Sequence, residues 1–230
     1  MSFRNYLPKF ILNIIKKLYK NQFKFGFTEV DLTLLSSESI FSKTNNKWDY
    51  KFNKGFGGWL EAPNLSKGYH GLLIQWCDYY GLGKNGLLVS ETNPVKEIFE
   101  TKYSNTSFVC TDYYVDLIEN STTDIIWNLY EGIPDGLSKK SFDSIMCQAT
   151  FEHLMDPIGV LKKFVKISNN EAKIFLHTHT PLYPNHNWPS DYLRYFPEWF
   201  HDACKIINGL ELLELYSSNG HIFTLYKVNK

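Results

Sequence analysis

Residues 210–228, LELLELYSSNGHIFTLYKV, consist of two apolar runs separated by a short polar turn. The turn contains Asn219-Gly220, a pair that readily forms tight hairpin turns because both residues tolerate positive φ. The runs on either side, Leu210–Tyr216 and His221–Val228, have the length of strands and are rich in Leu, Ile, Phe and Tyr. The segment therefore predicts an antiparallel hairpin.

Upstream of this hairpin, short apolar runs alternate with helical patterns. Helices are predicted to begin at Asp156-Pro157, where Asp can cap and Pro is preorganised for the first turn, and at Pro197. Such alternation produces parallel sheets with right-handed crossovers. We therefore predict an α/β fold, with a mostly parallel sheet, helices on both of its faces and a C-terminal antiparallel hairpin strand. The upstream predicted strands are Gly86–Ser90, Ser107–Thr111, Ser141–Gln148 and Ala172–His177.

The composition is that of one ordinary globular domain. The 230 residues include 24 Lys+Arg and 24 Asp+Glu, and 43% are hydrophobic. A formal charge of zero argues against a nucleic-acid-binding protein with a broad basic face. The four cysteines form no C-x-x-C pair, which disfavours a zinc ribbon or a disulfide scaffold. Because the sequence has no apolar run of about 20 residues and no signal-peptide pattern, we expect a cytoplasmic protein.

Two segments carry a family resemblance. Residues 141–157, SFDSIMCQATFEHLMDP, resemble the fourth-strand segment of class I S-adenosylmethionine-dependent methyltransferases, with its FD and EH-x-x-DP pattern. Residues 185–197, NHNWPSDYLRYFP, resemble a stretch in methyltransferases from bacterial surface-glycan gene clusters. The resemblance covers about residues 87–228 and does not include the first 85.

The resemblance implies a Rossmann-like fold that binds S-adenosyl-L-methionine and releases S-adenosyl-L-homocysteine. It assigns residues 86–230 to the cofactor-binding methyltransferase domain. Residues 1–85 are expected to be a helical and loop extension that forms part of the active-site cover. Within it, residues 1–25 carry basic but no acidic side chains on an amphipathic helical pattern. That helix either contacts an anionic membrane surface or a partner, or packs its apolar face on the domain.

The loop after the first strand departs from the family pattern. The family carries Gly-x-Gly there, so that the cofactor approaches bare backbone. Residues 89–94 are Val-Ser-Glu-Thr-Asn-Pro and contain no glycine. Some glycan-associated members have a glycine-poor loop with an acid, which Glu91 matches. The alternative is a domain that has lost the cofactor site and serves as a non-catalytic binding module, docking on a membrane or a glycosyltransferase.

Asp112 ends the second predicted strand, about 20 residues beyond the first loop. In dinucleotide folds a carboxylate at this place accepts hydrogen bonds from both ribose hydroxyls, although Asp112 could also be a capping or turn residue. A nicotinamide nucleotide would need a glycine-rich turn for its pyrophosphate, so the missing glycines favour S-adenosylmethionine. The residues assigned to the cofactor are Glu91, Thr92, Asp112, Tyr113, Asp124, Ile125, Gln148, Ala149 and Thr150.

Within this set, the resemblance assigns Asp124 to the adenine amine and Ile125 to the face of the ring. Residues 148–150 follow the fourth predicted strand and are expected beside the methionine moiety, because open α/β sheets bind ligands at the carboxyl ends of their strands. Glu91 could hold the amino group of that moiety. The alternatives are an edge aspartate for Asp124 and a surface acid for Glu91.

The expected reaction is O-methylation of a carbohydrate, a nucleotide-activated sugar or a phosphate- or phosphoramidate-type group in surface polysaccharide biosynthesis. A sugar hydroxyl loses its proton during attack, so a base with a pKa near neutrality helps. His186 is the first candidate and His153 the second, although His153 could instead bond to nearby backbone. The side chains expected to bind the acceptor are Tyr183, Trp188, Asp191 and Arg194.

Two further interpretations concern the same region. Asp191 and Arg194 could pair with each other and stabilise their loop. His177 and His179 share a strand face and, with His186 and Asp191, could form a metal site. Because strand-end histidines commonly form local hydrogen bonds, we predict no metal. The expected partner is a small-molecule or glycan acceptor and not a nucleic acid, and the sequence predicts no particular oligomeric state.

Overall fold

The computed structural model describes residues 70–113, 122–183, 185, 190–218 and 220–230. All of them belong to one compact unit of the chain, Ser36–Lys230. None of the described helices is both long and apolar enough to cross a bilayer. The predicted extension, apart from residues 70–85, lies outside the described residues. Its role as an active-site cover and the membrane contact of residues 1–25 stay predictions.

The described strands form one seven-stranded sheet in the order β3-β2-β1-β4-β5-β7-β6. Only β7 runs against the others, because it pairs antiparallel with both β5 and β6. The predicted mostly parallel sheet with a C-terminal antiparallel hairpin strand is therefore confirmed. The strands are β1 Asn85–Val89, β2 Ser107–Asp112, β3 Ile125–Ile126, β4 Phe142–Gln148, β5 Ser168–His179, β6 Leu210–Ser218 and β7 His221–Val228.

The helices begin where the sequence offers start signals. The Asp156 side chain accepts a hydrogen bond of 2.9 Å from the Gly159 amide, and Pro157 occupies the first turn, as predicted. Pro197 starts the last helix in the same way. The helices are α1 Gly71–Tyr80, α2 Asn93–Lys102, α3 Asp135–Ser138, α4 Pro157–Ile167 and α5 Pro197–Ile206, and a 3₁₀ turn covers Phe151–His153.

Helices cover both faces of the sheet, as predicted, because side chains alternate along each strand. Leu88 and Met146 point to the face that is covered by α1 and α2. Leu87 and Ile145 point to the opposite face, where α3, α4 and α5 pack. The central strands are thus buried on both faces. Because both faces need apolar side chains, the sequences of these strands are short continuous apolar runs.

Strand β5 is longer than its apolar run predicts. It begins at Ser168 and not at Ala172, and it ends at His179 and not at His177. Glu171 lies inside it with φ of 64°, and the β4–β5 register shifts between Phe142 and Ser144. This irregularity admits polar residues into the start of the strand, so the sequence pattern does not reveal them.

Phe164 offers a test of this packing, because it is fully buried on α4 with its ring against Trp127 and Phe151. We expect Phe164→Ala to lower the free energy of unfolding in urea by about 3–5 kcal/mol, through lost apolar burial and the cavity left behind. Phe196→Ala is the control, since Phe196 is 47% exposed. An equal loss in the two variants would contradict the assigned core.

Candidate cofactor and acceptor site

The strand order reverses between β1 and β4, which is the place where open α/β sheets bind ligands. Val89, the last residue of β1, is level with Thr111 on β2 and with Cys147 on β4. The next residue on each strand is therefore Ser90, Asp112 or Gln148, and these three lie in one row across the carboxyl edge. We call them the carboxyl-edge row.

Two non-glycine residues at this edge have left-handed backbones, Ser90 with φ of 57° and Ala149 with φ of 44°. Hydrogen bonds to the neighbouring strands fix both positions. The amide of Glu91, the residue after Ser90, donates to the Thr111 carbonyl, and the amide of Ala149 itself donates to the His177 carbonyl, both at 2.9 Å. Such backbones cost about 1–3 kcal/mol and concentrate at ligand sites. Ser90 thus adopts a backbone conformation that usually favours glycine.

Glu91 and Gln148 meet across the crevice between β1 and β4. The Gln148 amide nitrogen donates to Glu91 Oε1 at 2.7 Å, although the two residues are 57 positions apart in the chain. Both side chains are half-buried. The structure therefore brings together two of the predicted cofactor residues and fixes a carboxylate at the switch point of the sheet.

Asp112, Tyr113 and Thr92 also lie at this edge. Asp112 Oδ1 accepts a hydrogen bond of 2.7 Å from the Tyr113 amide, so the carboxylate turns towards the loop that follows β2. Tyr113 is 47% exposed. Thr92 is buried at the start of α2, and its carbonyl accepts from the Lys96 amide. Thr150, which follows β4, is also buried and donates to the Gln148 carbonyl at 2.8 Å.

Asp124 lies before β3, and Ile125 is the first residue of that strand. Asp124 pairs with Lys96 Nζ at 2.7 Å and accepts from the Cys110 amide at 3.0 Å. Burial raises the pKa of its carboxyl, but the hydrogen bonds from Lys96 and Cys110 outweigh that effect and lower it overall. The carboxylate predicted for the adenine amine is thus held by an ion pair on the side of α2.

Asn128, which the sequence analysis did not select, follows the carboxyl end of β3. Its side-chain nitrogen Nδ2 donates to Glu131 Oε1 at 3.0 Å, and its side-chain oxygen Oδ1 accepts from the Tyr130 backbone amide at 3.1 Å. The Trp127 amide bonds to the Asp112 carbonyl, which brings this loop beside β2. The sequence signal is an amide residue two positions after a short strand, and that signal is weak.

On the acceptor side, His153 is held by backbone. Its Nδ1 lies 2.6 Å from the Ser190 carbonyl oxygen, and the His153 carbonyl accepts from the Tyr130 hydroxyl at 3.0 Å. A carbonyl only accepts, so Nδ1 donates in this contact, and Nε2 lies 3.9 Å from Glu152 Oε1. The backbone bond considered as an alternative therefore forms.

Asp191 and Arg194 form a two-pronged ion pair, as one of the two interpretations predicted. The Asp191 side chain is 2% exposed, and Arg194 also donates to the Tyr183 and Leu193 carbonyls. The hydrogen bonds that Arg194 donates to the Asp191 carboxylate raise the pKa of the guanidinium. The pair stabilises the loop before α5, and the guanidinium donates its hydrogen bonds to groups of this same region of the chain. His186 and Trp188 lie outside the described residues, and their roles stay predictions.

Glu152 is a buried carboxylate that the sequence analysis quoted only as part of a motif. Its side chain is fully buried, with Oε1 at 2.7 Å from His179 Nδ1 and Oε2 accepting from the Thr178 hydroxyl at 2.7 Å. Its carbonyl accepts from the Tyr192 and Leu193 amides. Glu152 therefore joins the 3₁₀ turn to the end of β5 and to the loop before α5.

The left-handed backbone of Ser90 generates a stability test. We expect Ser90→Gly to change the free energy of unfolding by less than about 1 kcal/mol, since glycine adopts positive φ without strain. Ser90→Val should lower it by about 1–3 kcal/mol more, because branched side chains are disfavoured there. Urea unfolding measures both variants. A valine variant as stable as the glycine variant would contradict the assigned conformation.

No protein-family model and no curated protein matches the sequence. Solved structures do match. An S-adenosylmethionine-dependent methyltransferase from Clostridium acetobutylicum matches with a TM-score of 0.54 and 10% identity, over 69% of this chain and 89% of that one. The plantazolicin methyltransferase BpumL, solved with a desmethylPZN analog and S-adenosylhomocysteine, matches with a TM-score of 0.54 and 9% identity, over 69% of this chain and 84% of that one. This chain therefore has the Rossmann-like fold of class I S-adenosylmethionine-dependent methyltransferases.

Proposed function

We propose that the protein is an S-adenosylmethionine-dependent methyltransferase. The observation that carries this proposal is the carboxyl-edge row at the switch point of a sheet with this strand order, together with Glu91 beside Gln148. The cofactor would supply a methyl group that is activated by a positively charged sulfur. Two carboxylates, Glu91 and Asp112, give this edge the negative charge that suits a cationic ligand.

The residues at the edge fit the parts of the cofactor. The Asp112 carboxylate accepts hydrogen bonds from the ribose hydroxyls, as an acid does at the end of the second strand of dinucleotide folds. Glu91, oriented by Gln148, binds the amino group of the methionine moiety, and the backbone of residues 148–150 lines that moiety. Asn128 joins Asp124 and Ile125 as a candidate for the adenine, because it follows the carboxyl end of β3.

For the acceptor, we propose O-methylation of a carbohydrate, a nucleotide-activated sugar or a phosphate- or phosphoramidate-type group in surface polysaccharide biosynthesis. The resemblance of residues 185–197 to methyltransferases of surface-glycan clusters supports this class. Tyr183, Trp188, Asp191 and Arg194 remain the proposed acceptor-binding residues. Since Asp191 engages the Arg194 guanidinium, we propose that these two residues shape the acceptor loop. One face of Tyr183 stacks on His179, so we propose its other face and Trp188 as the stacking surfaces for the acceptor.

The chain has two chemical tasks in this reaction. It holds the acceptor oxygen in line with the methyl group, which accounts for most of the acceleration in such displacements. It also removes the proton of a sugar hydroxyl, for which we propose His186 or His153. The Ser190 carbonyl accepts from His153 Nδ1 and so orients the ring. A phosphate oxygen would need no base.

Calorimetry with S-adenosylhomocysteine tests the cofactor site. We expect wild-type protein to bind it and Asp112→Asn to bind about 10- to 100-fold more weakly, because hydrogen bonds to a charged acceptor are lost. Asp202→Asn is the control, since Asp202 is 57% exposed on α5, and should bind like wild type. Absence of heat at millimolar ligand would refute the proposal and favour the non-catalytic binding module.

Methyl transfer from radiolabelled S-adenosylmethionine to a panel of nucleotide-activated sugars tests the base. With an acceptor that has a hydroxyl nucleophile, removing the base in His186→Ala or His153→Ala should lower kcat by about 100-fold or more. His201→Ala serves as the control, because His201 is half exposed on α5. Unchanged turnover in both of the first two variants would remove the base assignment.

A further inference from the structure

Three buried histidines meet at the end of the sheet beside the carboxyl-edge row. His177 and His179 are two residues apart on β5 and therefore share a face. The antiparallel register sets His179 opposite His221 on β7, so the third imidazole joins them on the same face. All three are at most 1% exposed. The Ala149 amide bonds to the His177 carbonyl, which ties this group to the end of β4.

The imidazole nitrogens converge to within the range of a shared ligand. One nitrogen of each histidine lies within 4.8 Å of the other two, and His177 Nε2 lies 2.9 Å from His221 Nδ1. Zinc–nitrogen bonds of about 2.0–2.1 Å in a tetrahedral site imply nitrogens about 3.4 Å apart. The 2.9 Å contact is a hydrogen bond between the His177 and His221 imidazoles, which a bound ion would replace at this wider spacing. This differs from the set considered from the sequence, since His221 takes the place of His186 and Asp191.

Glu152 places a carboxylate beside this group, as metal-binding histidines commonly have in their outer shell. Its Oε1 lies 2.7 Å from His179 Nδ1. The Thr178 hydroxyl in turn holds the other carboxylate oxygen. The ring of Tyr183 stacks on the imidazole of His179, with 3.7 Å between the ring centroids, and shields the imidazole from water.

A fourth imidazole, His70, lies at the start of α1 with its ring centroid 4.5 Å from that of His177. It is 3% exposed. Burying this many polar rings together costs free energy relative to an apolar core, and a bound ion offsets that cost, because binding free energy adds to folding free energy.

We propose that His177, His179 and His221 bind a divalent transition-metal ion of the zinc class. Nitrogen ligands select zinc, cobalt, nickel or copper and disfavour magnesium and calcium. The ion would join β5 to β7 next to Gln148 and so fix the hairpin at the acceptor end of the sheet. The proposal does not depend on the methyltransferase activity.

Metal analysis of the full chain, untagged and dialysed after expression with added zinc, tests this site. We expect about one zinc ion per chain, and after chelator treatment we expect Co²⁺ to give the visible absorption of a tetrahedral site while Mg²⁺ does not compete. The melting temperature should fall when zinc is removed, because the ion binds only the folded state. A dialysed wild-type protein without zinc or cobalt binding would overturn the proposal.

Variants separate this site from packing effects. We expect His221→Phe and His177→Phe, which keep a ring in the core, to lose zinc, and Glu152→Gln to bind it about 10- to 100-fold more weakly. His201→Phe, on the exposed side of α5, should keep it. Zinc retained in full by a folded His221→Phe would overturn the proposal. If that variant does not fold, Glu152→Gln and the wild-type metal content decide.

Parallel calorimetry with S-adenosylhomocysteine on the zinc-loaded protein keeps the two proposals apart. Zinc binding without ligand binding would count against the methyltransferase and support the metal site. Binding of S-adenosylhomocysteine by a wild-type protein that holds no zinc would support the methyltransferase and count against the metal site.

Discussion

The parallel pairing of β1 with both β2 and β4 is the constraint on which the rest of the structure depends. It uses both edges of a short strand that is buried from Gly86 to Val89, so the parallel strands that follow are reached by crossover connections, with helices on both faces of the sheet. It also sets Ser90, Asp112 and Gln148 level with one another. Three chain segments leave the sheet at this edge, and the polar side chains of Glu91, Asp112 and Gln148 lie there together.

Much of the fold could be predicted from the sequence, because the signals for it are local. The Asn219-Gly220 pair, the Asp156-Pro157 start and the apolar strands all act within a few residues of one another, and the structure confirms the elements they predicted. The start of β5 could not be predicted, since polar residues occupy it and only the irregularity at Glu171 accommodates them.

The candidate site was predictable only in part, because its contacts are long-range. Glu91 and Gln148 were each selected from strand ends, but their hydrogen bond follows from the register of β1 and β4. The partner of His177 and His179 is on a strand about 40 residues later, and only the pairing of β5 with β7 identifies His221. Asn128 and Glu152 were passed over because an amide after a strand and an acid in a turn are common in any protein.

The end of β5 is the most demanding region energetically. Histidines from two strands, the Glu152 carboxylate and the Thr178 hydroxyl are all removed from water there. Such groups are tolerated only where each is held by a partner, and a half-satisfied network is less stable than an apolar core. The close hydrogen-bonding and stacking distances among these side chains indicate a region that is arranged as a unit.

The left-handed serine after β1 has a consequence for how related proteins are found. Where a hydroxyl-bearing residue adopts the backbone geometry usually associated with glycine, the spacing of glycines no longer marks the loop. Sequence patterns keyed to those glycines would pass over such chains. Their relationship to one another would be recognised through strand order and backbone shape.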